Sequence, residues 1–413
     1  MSKNMQSIVF LCVDCLRQDF LRRSSVDTPY LDTLRNSGVE FTNCFATAST
    51  TTPAVASFMT GLYSEGNGVN SLRECELNSS VLTLAEVLND NRWETCAMVT
   101  GPLITETALN RGFDKYSYRE PDKELVGDWF DTAVETIEDL EDPFFAYIHL
   151  WELHDPISVP SEFDTEFYGE IQYGRMLSAL DRAIERFIKE LPPEVTIILH
   201  GDHGESVTCQ SSTIQGLFHG QRKRLRYERG IDTRRLERLS NRIFDRFNAD
   251  IKDHFIEKAH GSTIHDYMTN VPLLLVGPDI GEMIVDNQCR QIDIFPTILD
   301  YLDIDISSSI DGKSLFPPES VNSRVAYMRA CGEILLQKEN WSRGIRWEGK
   351  KYIEYPNRDW SPEVYDLESD PKELHCLNDQ GLQEQLRTKL PDVKLKDQNH
   401  KDIDNRLRDL GYL

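Results

Sequence analysis

Five apolar runs limit the fold of this chain more than any other feature: "SIVFLCV" (7–13), "ETCAMVT" (94–100), "FFAYIHLW" (144–151), "VTIILHG" (195–201) and "VPLLLVG" (271–277). They are nearly continuous rather than alternating, as expected of strands covered on both faces in a parallel sheet. They are also too short to cross a membrane as helices. Segments with helical spacing lie between them: "YLDTLRNSG", stopped by Gly38, then "TLAEVLNDN", "DWFDTAVETIEDLE" and "YGRMLSALDRAIERFIKEL". This alternation predicts an α/β fold, a mostly parallel central sheet sandwiched by helices. After about residue 315 the pattern changes. "VAYMRAC", "RGIRWEGKKYIEY" and "EVYDLESD" read as short antiparallel strands, and "NRLRDLGYL" as a last helix. At 413 residues the chain exceeds what one core usually takes. The expected division is an α/β domain over 1–314 and a small α+β subdomain over 315–413.

Charge narrows the partners. The net charge is −24, which repels nucleic acid and anionic membranes, and would repel an anionic substrate unless metal ions reverse the sign locally. The nine cysteines are odd in number and scattered, and the opening "MSKNMQSIVFLCVD" does not read as an export signal. A cytoplasmic protein with reduced thiols is therefore expected, and Cys12 and Cys15 read as strand-end residues rather than a redox or zinc pair. Residues 221–259 stand apart as a basic insert. In "QRKRLRYERGIDTRRLERLSNRIFDRF", Leu236, Leu239, Ile243 and Phe247 recur at helical spacing and predict an amphipathic helix. It reads either as a solvated helix paired with the acidic body or as a lid or subunit contact, so a homo-oligomer is one expectation.

Polar clusters sit where the strand runs end: Asp14 after "VFLCV", Asp202 and His203 in "HGDHGES", His149, Glu152, His154 and Asp155 in "HLWELHDP", and His260 in "KAHGSTIHDYM". In open α/β sheets, sites form beyond the carboxyl ends of strands, so these groups converge on one edge. Carboxylates crowded there raise one another's pKa unless a cation sits among them. Mixed carboxylate and imidazole donors suit zinc, manganese or magnesium.

The stretch "TTPAVASFMTG" (51–61) reads as a helix from Pro53 to Thr60 with Thr51 or Thr52 as N-cap. A helix N-terminus binds anions. A threonine hydroxyl is a poor nucleophile without a group that lowers its pKa, so by itself this stretch favours a capping role for Thr51.

In order and spacing these motifs resemble the sulfatase and alkaline-phosphatase superfamily. The resemblance covers nearly the whole chain. "IVFLCVDCLRQDF" is similar to its first strand and metal-binding aspartate, and "TTPAVASFMTGLY" to its nucleophile helix. "GDHGE" and "HGSTIHDYMTNVPLLLVGP" are similar to later metal motifs, and "VYDLESDPKELHCL" to its tail. The resemblance implies a hydrolase of phosphoric or sulfuric esters with Thr51 at the nucleophile position. Asp14, Asp202 and His203 would hold the activating metal together with the Thr51 oxygen. His154 and His260 would bind the leaving group or a second metal. One or two divalent ions are implied, with zinc or manganese favoured and magnesium or calcium also compatible.

Departures from the family pattern point to the subfamily. Its sulfatases use a cysteine or serine converted to formylglycine, with an arginine four residues on. Thr51 cannot form that aldehyde, and Val55 stands at the arginine position. Threonine is the nucleophile in phosphodiesterase, phosphomutase and transferase branches. Cys15 replaces a second aspartate, and Glu152 stands where many relatives have aspartate. The expected function is metal-dependent hydrolysis of a small-molecule phosphoric ester. Sulfate-ester hydrolysis, phosphoryl transfer and a non-catalytic binding role are the alternatives.

Overall fold

The computed structural model describes residues 5–71, 75–207, 213–245, 251–305, 308–331 and 340–391. Nine strands form the main sheet: β1 (Ile8–Val13), β2 (Val39–Phe45), β3 (Glu94–Val99), β4 (Lys115–Tyr118), β5 (Phe144–Leu150), β6 (Thr196–Gly201), β7 (Asn270–Val276), β8 (Met283–Val285) and β9 (Cys289–Arg290). Their spatial order is β4-β3-β5-β1-β6-β7-β2-β8, with β9 also pairing β2. From β4 to β6 all pairs are parallel. The expected parallel strand at 271–277 is instead antiparallel to both neighbours, β6 and β2. A buried apolar run records burial, and direction is set only by the path of the connections. β2 was not among the predicted runs. Its ladder shifts register between Phe41 and Cys44, and the intervening Thr42 and Asn43 bond Asp286. That polar interruption hides a strand from a hydrophobicity reading.

The central strand β1 shows why both faces are apolar. Val9, Leu11 and Val13 pack on one side against Tyr173, Leu177, Leu180, Ile184 and Phe187 of the helix Gln172–Glu190. Ile8, Phe10 and Cys12 pack on the other, against Val55, Phe58 and Met59 of the helix Thr51–Thr60. The strand period of two divides one run between two cores. Phe58 lies 5.3 Å from the Phe10 ring and 5.6 Å from that of His200. All ten residues of the helix Thr51–Thr60 are buried.

The C-terminal residues form an antiparallel sheet of β10 (Ala326–Ala330), β11 (Ser342–Trp347), β12 (Lys350–Glu354) and β13 (Glu363–Asp366), in that order. The expected helix at "NRLRDLGYL" lies outside the described residues. The second sheet touches the first at a functional place. Arg329 of β10 donates its N–H to the Thr47 carbonyl (2.9 Å) and accepts from Ser49 N–H (3.2 Å), gripping the loop that enters the helix Thr51–Thr60. No helix among the described residues is long and apolar enough to cross a membrane.

The basic insert differs from its expectation. It forms two helices, Thr213–Arg222 and Arg234–Asp245, joined by a π-turn over Lys223–Glu228. Phe247 lies outside the described residues. Arginine, rather than leucine, faces inward. Arg222 grips Glu257 through both Nη atoms (2.7 and 2.8 Å), Arg226 pairs with Glu237, and Arg238 with Glu363. These three arginines are engaged by the chain's own carboxylates, as expected of a helix paired with the acidic body.

Candidate active site

Asp14 follows β1, and Asp202 and His203 follow β6, the adjacent parallel strand, so the carboxyl ends of two neighbouring strands bring them together. One donor atom from each of Asp14, Asp202 and His203 lies within 4.8 Å of the others, and all three residues are fully buried. The glycines of "GDHGE" permit this turn. A Cβ on Gly201 would stand 2.4 Å from the Leu16 carbonyl, and one on Gly204 would stand 2.0 Å from that of Tyr267.

Thr51 joins the group from the opposite side. The helix begins at Thr51, with Thr50 as the extended N-cap and no side-chain capping bond. The expected caps, Thr51 and Thr52, are therefore helical residues. Thr51 Oγ1 donates to Asp14 Oδ2 at 3.0 Å and lies 3.2 Å from His203 Nε2. The hydroxyl thus faces the carboxylate and imidazole rather than its own helix end.

The electrostatics fit a cation. Burial would raise the Asp14 carboxyl, but the His149, His203 and His154 imidazoles hold it well below the usual carboxylate range. Burial and the Asp14 charge push Asp202 well above that range. Two buried carboxylates side by side thus share their ionisation, as like charges must when nothing neutralises them. Asp202 Oδ1 accepts from the backbone N–H of Cys15 (3.0 Å) and of His203 (2.7 Å), while its Oδ2 is buried without a hydrogen-bond partner. His203 Nδ1 bonds the Gly204 carbonyl at 2.9 Å, which makes Nδ1 the protonated nitrogen and turns the Nε2 lone pair toward Thr51. Burial holds this imidazole neutral, with its pKa down at about 4. An unpartnered carboxylate oxygen, a neutral imidazole and a second carboxylate are a donor set for a divalent ion.

A second group, Cys15, His203 and His260, meets the same 4.8 Å limit. Cys15 adopts φ +62°. Its thiol lies 2.8 Å from Asp14 Oδ1 and 3.9 Å from His260 Nδ1. Burial and the surrounding carboxylates, Asp14 first, push the thiol pKa far up. His260 Nδ1 bonds Glu205 Oε2 at 2.9 Å. His154 stacks on Trp151 with centroids 3.9 Å apart, and its ring lies 5.2 Å from that of His260. His154 belongs to neither group of donors among the described residues. His149 Nε2 sits 3.3 Å from Asp14 Oδ2 without hydrogen-bond alignment. Glu152 is turned away and accepts from Leu125 N–H at 2.6 Å, and Asp155 is exposed.

Sequence reasoning missed two supports. Glu205, the last letter of "GDHGE", anchors His260. Gln291 donates to the Asp202 carbonyl at 2.9 Å and accepts from Thr47 N–H at 3.2 Å, which ties the nucleophile loop to the β6 loop. The motif itself was the signal for Glu205. Nothing local marked Gln291.

The family described as Sulfatase matches residues 6–304, nearly three quarters of the chain, and the C-terminal region described for N-sulphoglucosamine sulphohydrolase matches residues 262–401. The chain belongs to the sulfatase family. Within it, YidJ of Escherichia coli (strain K12), described as an uncharacterized sulfatase, is 20% identical over 423 residues, covering 90% of this chain and 82% of that one. The fold is also that of the phosphonate monoester hydrolase of Agrobacterium radiobacter. Its TM-score is 0.69 at 17% identity, with 99% of this chain and 96% of that chain covered. A protein solved with its substrate D-glucosamine-2-N,6-O-disulfate has a TM-score of 0.67 at 16% identity, with 98% of each chain covered. The protein is a sulfatase-family hydrolase with a cluster suited to a divalent metal.

Proposed function

We infer that this hydrolase cleaves small phosphoric esters (monoesters, diesters or phosphonate esters) with Thr51 as its nucleophile. One observation carries the reading: the Thr51 hydroxyl stands between Asp14 Oδ2 and His203 Nε2 at the start of a buried helix. A secondary alcohol there is suited to attack phosphorus directly and cannot supply the aldehyde that the family's sulfatases need. Val55, at the position of their arginine, is buried and apolar.

Asp14, Asp202 and His203 would hold a divalent ion, zinc or manganese by their donor types. When bound, that ion supplies positive charge that lowers the pKa of a neighbouring hydroxyl and offsets the charge of the ester. The chain's own groups do the positioning. Asp14 and His203 aim Oγ1. The N–H groups of Thr51 and Thr52, which have no acceptor within the helix, face the non-bridging oxygens. His260, anchored by Glu205, and His154, stacked on Trp151, present imidazole edges to the leaving oxygen. Attack forms the Oγ1–P bond as the bond to the leaving oxygen breaks. Water then attacks phosphorus and releases Thr51. Positioning and charge neutralisation carry most of such a reaction.

The structural likeness to a phosphonate monoester hydrolase favours this reading. The likeness to a protein that acts on a sulfated sugar, with the family match, keeps sulfate-ester hydrolysis as the second reading. Rates on nitrophenyl phosphate, phosphodiester, phosphonate and sulfate, each with zinc and manganese, separate the two. The first reading expects a phosphorus ester to be preferred over the sulfate, and a sulfate preference overturns it.

A further inference from the structure

The helix Arg234–Asp245 is amphipathic in the unusual sense. Its inward face carries Arg234, Glu237 and Asn241, all buried. Its apolar stripe of Leu236, Leu239 and Ile243 lies on the opposite side at 67%, 46% and 43% exposure. Beside it, Leu217 and Phe218 of the helix Thr213–Arg222 are also exposed. The two helices enclose a groove of about 300 Å³ whose walls include Leu217, Phe218, Leu225, Leu236 and Ile256. An outward leucine stripe over a groove is the form in which an apolar surface receives a partner.

Charge narrows the partner further. Residues 213–245 hold nine Lys and Arg against four Asp and Glu, a net of +5, which leaves −29 on the rest of a chain whose total is −24. Arg224, Arg229, Arg235 and Arg242 are exposed, and among the described residues none of them is ion-paired. The same chain carries the complementary shape. In the loop "SEFDTEFYGE" (161–170), Phe167 is 75% exposed, the most exposed large apolar side chain described. Glu162, Asp164, Glu166 and Glu170 surround it in sequence; Asp164 pairs with Arg175 (2.8 Å) and Glu170 with Arg23 (3.1 Å), while Glu162 and Glu166 are exposed and turn no charge to an arginine among the described residues. Phe167 thus stands out on an acidic knob, while the groove is apolar with a basic rim.

We propose that Phe167 of one copy seats in the groove of a second copy, with Glu162 and Glu166 facing the arginines of its rim. Two such contacts related by a two-fold axis close the assembly as a dimer. Patch-on-patch pairing of two basic faces would oppose like charges, which the knob-in-groove arrangement avoids. The contact is independent of the ester chemistry, since the groove and knob lie outside the cluster of Asp14, Asp202 and His203.

Sedimentation velocity on the metal-loaded protein over a concentration series tests this. The wild type is expected to dimerise. Phe167→Ser and Leu236→Ser should each weaken association at least tenfold while leaving kcat on the best nitrophenyl ester unchanged. A paired charge reversal is more specific. Arg235→Glu/Arg242→Glu should dissociate the dimer, and adding Glu162→Arg/Glu166→Arg should restore it. A wild type that stays monomeric throughout overturns the proposal, as does a dimer insensitive to both serine variants. Binding of a monomeric wild type to phosphatidylglycerol vesicles, lost in Leu236→Ser but kept in Phe167→Ser, overturns it in favour of a membrane surface.

Discussion

Thr51, Asp14, Asp202 and His203 form one charge system, and their variants are expected to separate by role. Thr51→Ala removes the attacking oxygen and no carboxylate. Turnover should fall by at least about 10³-fold, taking activated nucleophiles as a guide, with metal content unchanged. Asp202→Asn keeps the shape but replaces the unpartnered Oδ2, the atom most in need of a cation. Metal affinity should fall by well over tenfold, measured by titration into chelator-treated protein. Asp14, Asp202 and His203 were legible before the fold was known because strand ends in an α/β sheet are marked in sequence by an apolar run giving way to Asp, His and Gly, whereas Thr51 was marked as a nucleophile only by the resemblance. His154 and His260 were also placed in the polar clusters at strand ends, but their roles were legible only through resemblance. Cys15 was marked by the resemblance as the replacement of an aspartate, but its partners, like Gln291 altogether, had to wait for tertiary structure. The thiol of Cys15 acquires meaning only beside His260, and Gln291 acts through contacts with Thr47 and Asp202, more than eighty residues away in sequence.

The helix Thr51–Thr60 and strand β10 are the elements that decide whether Thr51 is in place. Beyond its two backbone bonds to residues 47 and 49, Arg329 donates to Asn70 Oδ1 at 2.7 Å and lies 3.6 Å from Glu65, just past the helix. The second sheet therefore holds both ends of the nucleophile helix. Arg329→Ala should lower kcat by about 10²-fold, the scale of a displacement near 1 Å, with KM little changed, and Arg329→Lys should recover part of it. Phe58→Ala, which empties the space between Phe10 and His200, should cost about 3–5 kcal/mol of stability by denaturant unfolding. Apolar periodicity made the central strands and flanking helices readable. It could not show that β7 runs antiparallel, or that the leucine stripe of the basic insert faces outward. Strand direction and helix orientation depend on what an element packs against, and a period is the same either way round.

For the molecule as a whole, acid should be the weak point. Burial holds His200 at about 3 and His254 at about 4, so both are neutral in the folded state. An unfolded chain titrates histidine near 6.5 and takes up protons that the native state refuses. Stability from these residues is therefore full above about pH 6.5 and falls as the pH drops toward 4, by up to about 1.4 kcal/mol per pH unit for each. Urea unfolding at pH 7, 6 and 5, with chelator present so that metal release does not contribute, should show that decline. A flat profile would contradict it.

The most direct measurement on the central claim is to mix the metal-loaded enzyme with an excess of nitrophenyl phosphate, quench in acid within one turnover, and map the protein by mass spectrometry. A phosphoryl group is expected on the peptide that contains Thr51, located on Thr51 and missing in Thr51→Ala. A phosphoryl group on another residue, or wild-type turnover by Thr51→Ala, would contradict it.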